Sequence, residues 1–274
     1  MRRIIALAMA LLLILGMTAC SQTNTKEPGP ALANGVDTTA NGGVGTSAEQ
    51  GEAVILDAKV MGIDENSILA ASMDKAANET DIYRINTGNT EILDKDGKRT
   101  DIRALKNGML IDIFYDGTIM ESFPMQLGNI KSIRITEEGD DLAGLYLKVI
   151  KDLYDVDPGL NDSIVRLAFN LNDVTNLAET EKTALVYMAG NEFALETLQG
   201  TFEELREQGY IDKDQLYFET GLLYTIKVKS EKSNSFVFDA EKWRSGLGAY
   251  FYMDCTAKRE KNGWTYTIGG QAIS

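Results

Sequence analysis

Histidine is absent from the 274 residues, and cysteine occurs only twice, as Cys20 and Cys255. Without an imidazole the chain has no Ser-His-Asp triad, no Cys-His pair and no HExxH metalloprotease motif. Apart from Cys20, the chain has one cysteine and no histidine, which is too few ligands for a closed zinc site. The remaining metal ligands are carboxylates, and these suit calcium or magnesium. We expect no cofactor and no metal.

The acidic segments that could bind calcium lack the necessary spacing. If Asp94 and Asp96 filled positions three and five of an EF-hand loop, Ile92 and Arg103 would stand where oxygen ligands are required. The Asp-Gly pairs at 96–97 and 116–117 instead predict tight turns. Ser72-Met73-Asp74-Lys75 fits an S-x-x-K pattern, but no K-T-G or S-D-N follows it.

Positive charge is scarce as well, with 27 Lys and Arg against 41 Asp and Glu and a formal net charge of −14. A surface of this sign repels phosphate backbones and anionic headgroups. We therefore expect no nucleic-acid partner.

The N-terminus carries an export signal. Arg2 and Arg3 precede an uncharged run from Ile4 to Leu15, which is shorter than the roughly 20 residues that a membrane-spanning helix needs. Met17-Thr18-Ala19-Cys20 then resembles the lipobox of bacterial lipoproteins. The resemblance implies that residues 1–19 are removed and that Cys20 is lipidated, which would place the chain at the extracytoplasmic face of a cell membrane; secretion with an unmodified Cys20 is the alternative.

Residues 20–52 contain almost no large apolar side chain. Such a segment cannot offset the entropy lost on ordering, so we predict a flexible, lipidated linker. The rest of the chain is predicted to form two domains, at 53–138 and 140–274, separated by the acidic stretch around Gly139.

The first domain is predicted to be all β, with strands at 54–63, 67–72, 81–86, 109–115, 118–123 and 130–135. This pattern favours a small closed or partly open barrel. Asn107-Gly108-Met109-Leu110-Ile111, Tyr115-Asp116-Gly117 and Glu121 to Leu127 resemble the OB-like domain of YobA-type exported proteins of Gram-positive bacteria. That resemblance implies no catalytic residue.

The second domain is predicted to combine helices with a roughly four-stranded antiparallel sheet, which makes the overall fold class α+β. Apolar residues recur at helical spacing from Asp141 to Asp155, and further helices are expected at 161–169, 179–189 and 201–208. Alternation of apolar residues after Gly209 predicts the strands.

Two features of the strand at 249–257 suggest candidate residues. Alternation places Cys255 on an apolar face, which predicts a buried thiol rather than a nucleophile or redox group. Tyr250 and Tyr252 would then face outward. These two tyrosines are the candidate ligand-contact residues. The other aromatic residues of the same sheet are interpreted as core and rim residues: Trp243, Trp264 and Tyr266.

These observations predict an exported, membrane-anchored lipoprotein that is not an enzyme. We expect its C-terminal domain to bind a protein or cell-wall ligand whose identity the sequence leaves open. A carboxylate-dependent hydrolase acting on cell-wall glycan and a purely structural spacer are the alternatives.

Overall fold

The chain is predominantly β, in a computed structural model that describes residues 54–274. About 45% of these residues lie in strands and 19% in helices, and they form two large mixed sheets with three α-helices. The predicted α+β class, with several helices and a four-stranded sheet, is therefore wrong. The predicted signal peptide, Cys20 and linker lie outside the described residues.

The first sheet has nine strands in the order β5-β4-β9-β6-β1-β2-β3-β8-β7. Most neighbours are antiparallel, but β3 with β8 and β4 with β9 are parallel. The strands are β1 (Val54–Ile63), β2 (Ser67–Ser72), β3 (Ile82–Asn86), β4 (Glu91–Leu93), β5 (Arg99–Thr100), β6 (Leu110–Tyr115), β7 (Ile119–Met120), β8 (Met125–Leu127) and β9 (Ser132–Glu137).

This sheet replaces the predicted small barrel. Its strand order ends at two edges, β5 and β7, so the hydrogen bonding does not close on itself. One face nevertheless encloses a core of its own, because Val60, Ile68, Ile85, Ile111 and Ile133 are all fully buried in one cluster. The prediction missed β4, β5 and β8, which have only two or three residues and show no periodicity.

The second sheet has seven strands, with β11-β10-β12-β13-β14-β15 in order and β16 also paired to β14. β10 is parallel to both of its neighbours, whereas β12 to β15 form an antiparallel meander. The strands are β10 (Arg166–Asn170), β11 (Glu196–Gln199), β12 (Gly221–Lys232), β13 (Ser235–Ser245), β14 (Gly248–Glu260), β15 (Gly263–Thr267) and β16 (Gly270–Ile273). After β16, the Ser274 amide donates to the Ala249 carbonyl at 3.0 Å.

Three α-helices accompany the second sheet: α1 (Leu142–Asp155), α2 (Glu179–Phe193) and α3 (Phe202–Glu207). Asp141 caps α1 by accepting from the Gly144 amide, and Thr201 with Glu204 forms a capping box at α3. All three were predicted. The predicted helix at 161–169 is wrong, because this stretch contains the end of a 3₁₀ turn (Pro158–Asn161) and most of β10.

Helix α2 lies between the two sheets. It packs against α1 and β11 on one side and against β1, β2 and β3 on the other. Met61, Leu69 and Ile82 of the first sheet therefore share a hydrophobic cluster with Leu185 of α2 and Leu222 of β12. Residues 54–274 belong to one compact unit. No helix in the described part of the chain is long and apolar enough to cross a bilayer.

Candidate functional site

A cleft of about 830 Å³ opens where the start of α1 meets the turn before β6 and the β14–β15 hairpin. Its walls carry charges of both signs, two side-chain amides and one indole. The principal lining residues are Lys106, Asn107, Glu138, Asp140, Asp141, Lys148, Arg259, Lys261, Asn262 and Trp264.

The floor of the cleft is formed by two backbone segments in direct contact. A Cβ atom on Gly139 would lie 1.9 Å from the Gly108 carbonyl oxygen, and one on Gly108 would lie 2.5 Å from the Asp140 carbonyl carbon. Gly108 also has a φ of +87°, which an L side chain rarely adopts. Glycine is therefore needed at both positions for the linker at 138–141 to lie against the turn at 107–109.

Several charged groups of the cleft already have partners. Arg259 pairs with Asp140 at 2.6 Å, which joins the β14–β15 hairpin to the linker before α1. Asp141 accepts the Gly144 amide at 2.8 Å as the helix cap. Burial raises the pKa of the Asp141 carboxyl, while the hydrogen bond from Gly144 acts in the opposite direction. Among the described residues Lys106 and Lys261 have no ion-pair partner.

The aromatic wall of the cleft comes from β15. Trp264 packs against Phe236 with 5.4 Å between ring centroids, and its Nε1 is buried without an acceptor among the described residues. Two positions further on, the Tyr266 hydroxyl donates to Asp152 at 2.5 Å, and Lys148 binds the same carboxylate. These contacts fix β15 against α1 and hold the Trp264 ring at the edge of the cleft.

Tyr252 is predicted to face outward, but it faces the core. It is 3% exposed, lies in the same cluster as Cys255, and its hydroxyl donates to the Asp152 carbonyl at 3.4 Å. The reason is a β-bulge: the pairing with β13 shifts register between Phe238 and Ala240, opposite Cys255 and Tyr252, and Asp254 has a φ of +49°. The extra residue returns Tyr252 to the buried face.

Tyr250 is half-buried and donates to the Gln271 side chain of β16 at 2.7 Å. Neither tyrosine lines the cleft. Ligand contact by Tyr250 stays a prediction, whereas Tyr252 is not accessible in this arrangement. Trp243 lies apart from the other aromatic candidates, because it packs edge-to-face on Phe202 of α3 in a separate cluster.

Cys255 is buried, as predicted, with no exposed surface. Burial, with a smaller contribution from Asp239, raises the pKa of its thiol to about 11. The thiolate needed for nucleophilic attack is therefore disfavoured.

Lys242 is a buried lysine that the sequence reasoning missed. Its side chain has no exposed surface, and Nζ contacts the Val156 carbonyl, the Tyr154 and Asp157 carbonyls at 3.3 Å each and Asn161 Oδ1 at 3.2 Å. Burial lowers its pKa to about 8, against the charges of Asp157 and Asp155. Four oxygen atoms thus enclose the amine, which caps carbonyls left unpaired at the end of α1.

The signal for Lys242 was present in β13. Phe236, Phe238, Ala240, Lys242 and Arg244 alternate along the strand, and all five are buried. The apolar members predict an inward face, and the two cations continue it. A hydropathy profile does not show this alternation of buried residues in full, because the last two side chains are charged.

The structure also locates the Asp-Gly pair, the S-x-x-K pattern and the potential metal-ligating residues of the sequence. The Asp-Gly pair at 96–97 lies in the β4–β5 turn, where Asp94 accepts the Asp96 and Lys98 amides, as the turn prediction required. Ser72 of the S-x-x-K pattern is 3% exposed, and its carbonyl accepts Thr180 of α2. Within residues 54–274 no group of three or more His, Cys, Asp or Glu side chains is arranged to hold a metal ion.

No protein-family model, no curated protein and no solved structure matches the chain.

Proposed function

We propose that the protein is an exported lipoprotein, anchored through Cys20 at the extracytoplasmic face of a membrane, that binds a cell-wall glycan in the cleft beside Trp264 without chemically changing it. The cleft itself carries this proposal. Its volume of about 830 Å³ falls within the roughly 300–1,000 Å³ of typical small-molecule sites.

The chemistry of the walls favours a sugar chain as the ligand. The Trp264 ring offers an apolar surface for the CH face of a sugar, while Asn262 offers both donors and acceptors to its hydroxyls. The Asn107 amide, which already hydrogen-bonds Asp141, adds its remaining donor and its carbonyl oxygen. Lys106 and Lys261, which have no ion-pair partner among the described residues, can meet acidic substituents. The Arg259–Asp140 pair fixes the hairpin to the linker before α1, and the turn at 107–109 lies directly against that linker, so little ordering is needed on binding.

Binding is favoured over the hydrolase alternative by the state of the carboxylates. Asp140 is paired with Arg259, and Asp141 is held by the first turn of α1. Asp140 and Asp141 therefore each have a structural partner, and neither is positioned for proton transfer to a ligand. Glu138 and Glu260 also line the cleft, but both are exposed to water rather than enclosed in a dry site. The buried Lys242 and Cys255 do not line the cleft.

Tryptophan fluorescence can test glycan binding, because the chain has only two tryptophans. In a Trp243→Phe variant, Trp264 is the remaining reporter, and we expect a saturable change in its emission on titration with soluble cell-wall glycan fragments. In the converse Trp264→Phe variant, Trp243 lies outside the cleft and should show no change.

Affinity and stability measurements complete this test. Lys261→Ala should weaken binding at least about threefold, roughly the worth of one exposed charged contact. The matched control Lys213→Ala, on an exposed loop away from the cleft, should not. A ligand at a hundred times its dissociation constant should add about 2.7 kcal/mol to the stability of the chain. No saturable signal and no stabilisation with any glycan fragment would refute the proposal.

The membrane anchor has a separate test. Wild-type protein expressed in a bacterial host fed labelled fatty acid should carry the label and partition into detergent, while Cys20→Ser should do neither. An unlabelled wild-type chain would contradict the lipid attachment without bearing on the cleft.

A further inference from the structure

A second pocket lies at the end of the second sheet where β13 ends and β14 begins, and we call it the Arg244 pocket. It has a volume of about 490 Å³. The loop before β10, the loop before β12 and the β13–β14 turn surround it. Its principal lining residues are Leu160, Asp162, Tyr217, Glu219, Arg244 and Leu247.

Arg244 is a buried cation without a carboxylate partner. It is 8% exposed, its Nη1 donates to the Leu160 carbonyl at 2.6 Å and its Nη2 to the Glu219 carbonyl at 3.0 Å. Its guanidinium carbon lies 5.5 Å from the centroid of the Tyr217 ring. Among the described residues Arg244 forms no ion pair, and its buried Nε has no acceptor.

In this arrangement the Arg244 guanidinium has N–H groups without an acceptor. A guanidinium has five N–H groups, of which the two carbonyls take two. A buried positive charge without a counter-ion is costly, and buried polar atoms without partners are rare enough to require an explanation. An anion bound in the pocket would supply both the charge and the acceptors.

One side of the pocket rim is apolar and unusually exposed. Leu247 is 91% exposed at the tip of the β13–β14 turn, between Gly246 and Gly248. Leu216, whose carbonyl accepts the Gly246 amide at 3.2 Å, is 41% exposed beside it. A Cβ at Gly248 would lie 2.9 Å from Ser245 Oγ and 3.0 Å from Leu160 Cδ2, so there is little space for a side chain between the turn and Leu160.

Backbone strain is concentrated in the surrounding loops. Asp157, Ser163 and Leu216 have φ values of +49°, +59° and +49°, in the left-handed region that non-glycine residues rarely occupy. Such residues are held only when the surrounding structure fixes them, and they cluster at ligand sites. The loops are therefore fixed in a conformation that local energetics alone would not favour.

We propose that the Arg244 pocket binds a carboxylate carried on a short branched apolar group, as in an N-acylated leucine or a peptide ending in leucine. The carboxylate accepts from the free N–H groups of Arg244, a charge-assisted contact that is stronger than a neutral one. The apolar group is covered by Leu247 and Leu160. This site is separate from the cleft beside Trp264 and does not depend on the glycan proposal.

Two carboxylates at the rim repel such an anionic ligand. Their removal therefore tests whether the ligand is negatively charged. Asp162 and Glu219 are exposed, so their charges are screened by water, whereas the buried Arg244 is screened much less. The guanidinium therefore dominates, but removing one rim charge should tighten binding. Glu219→Gln should lower the dissociation constant, most clearly at low salt.

The test is calorimetric titration of the full-length chain with N-acetyl-L-leucine, and with N-acetyl-L-leucinamide as the matched neutral ligand. We expect saturable binding of the acid and at least about tenfold weaker binding of the amide, the size of effect that loss of one charge-assisted hydrogen bond produces. A short peptide ending in leucine, with a free or an amidated C-terminus, distinguishes a peptide ligand from a free acid, since only a peptide ligand gains affinity from the preceding residues.

Two variants complete the test. Arg244→Met should abolish binding, but it also removes two hydrogen bonds to loops. Leu247→Ser changes a side chain that is almost fully exposed, so it should leave folding intact and weaken binding at least about threefold. Met120→Ser, an exposed apolar residue on the first sheet, is its control. Equal affinity for acid and amide, or no effect of Leu247→Ser relative to Met120→Ser, would overturn the proposal.

Discussion

Lys59 of β1 and Glu181 of α2 form an ion pair that joins the first sheet to the central helix, with 2.7 Å between Nζ and Oε1 and side chains only 13% and 6% exposed. Glu181 uses its other oxygen to accept the Ala178 amide at the start of α2. One carboxylate therefore serves both the helix cap and the contact between the first sheet and α2.

Removal of one partner from this pair should be costly. Lys59→Met leaves the Glu181 carboxylate buried without a counter-charge, and we expect a loss of about 3 kcal/mol in the free energy of unfolding. The double variant Lys59→Met/Glu181→Gln, which keeps an acceptor for Ala178, should recover much of that loss. Urea denaturation measures both. Additive losses in the double variant would show that the pair contributes little as a pair.

Separate pieces of the chain should fold and then associate. Residues 53–138 contain the core around Ile111 and Ile133, and residues 140–274 contain the second sheet with its helices. In the second piece, however, α2 would expose the surface that covers Met61 and Leu69. We expect each piece to unfold cooperatively and the two to bind on mixing, as judged by sedimentation. Leu69→Ser in the first piece should weaken that association. Absence of cooperative unfolding in both pieces would instead mean one indivisible core.

The lowered pKa of Lys242 should make the free energy of unfolding depend on pH. Its pKa is about 8 in the folded chain and near 10.5 when unfolded. Between these values the unfolded chain holds a proton that the folded chain lacks, so stability rises with pH, by at most about 1.4 kcal/mol per pH unit. Lys242→Met should be less stable overall, because the carbonyls at the end of α1 lose their donor, and should lack this rise. Parallel slopes between pH 8 and 10 for the two proteins would contradict the assignment.

Cys255 should be protected in the folded chain. In a Cys20→Ser background, a thiol reagent at pH 8 should react only after denaturant is added, because the thiol is fully buried. With a folded pKa of about 11 against 9 in the unfolded chain, the thiol also favours folding below pH 9, and this contribution falls as the pH rises from 9 to 11. Rapid labelling of the native protein would show an accessible thiol instead.

The parts of the fold that the sequence predicted are those with a strong local signal. Helix α1 has an apolar stripe that packs on one side only, and β1, β2 and β6 alternate clearly. For the segment containing Leu167 and Phe169 the sequence predicts a helix, although it forms β10. This strand is central, has parallel neighbours and is buried on both faces, so its sequence shows no alternation.

The candidate sites depended on features that no periodic pattern contains. The bulge at Asp254 reversed the orientation expected for Tyr252. The cleft and the Arg244 pocket each combine loops that are distant in sequence, as Asn107 with Trp264 and Leu160 with Arg244 show. Such long-range pairings are fixed by the shared cluster around α2 and by the strand order, which the local sequence does not specify.

The return of β16 along the first part of β14 places Ser274 next to Ala249, one residue beyond Gly248 of the turn that carries Leu247. A fluorophore attached at Ser274 would therefore report on occupancy of the Arg244 pocket. It would lie on different loops from those that form the cleft beside Trp264. A bulky tag fused at the same position would compete with any ligand that Leu247 covers, so a binding assay that uses such a tag would underestimate affinity at this end of the sheet.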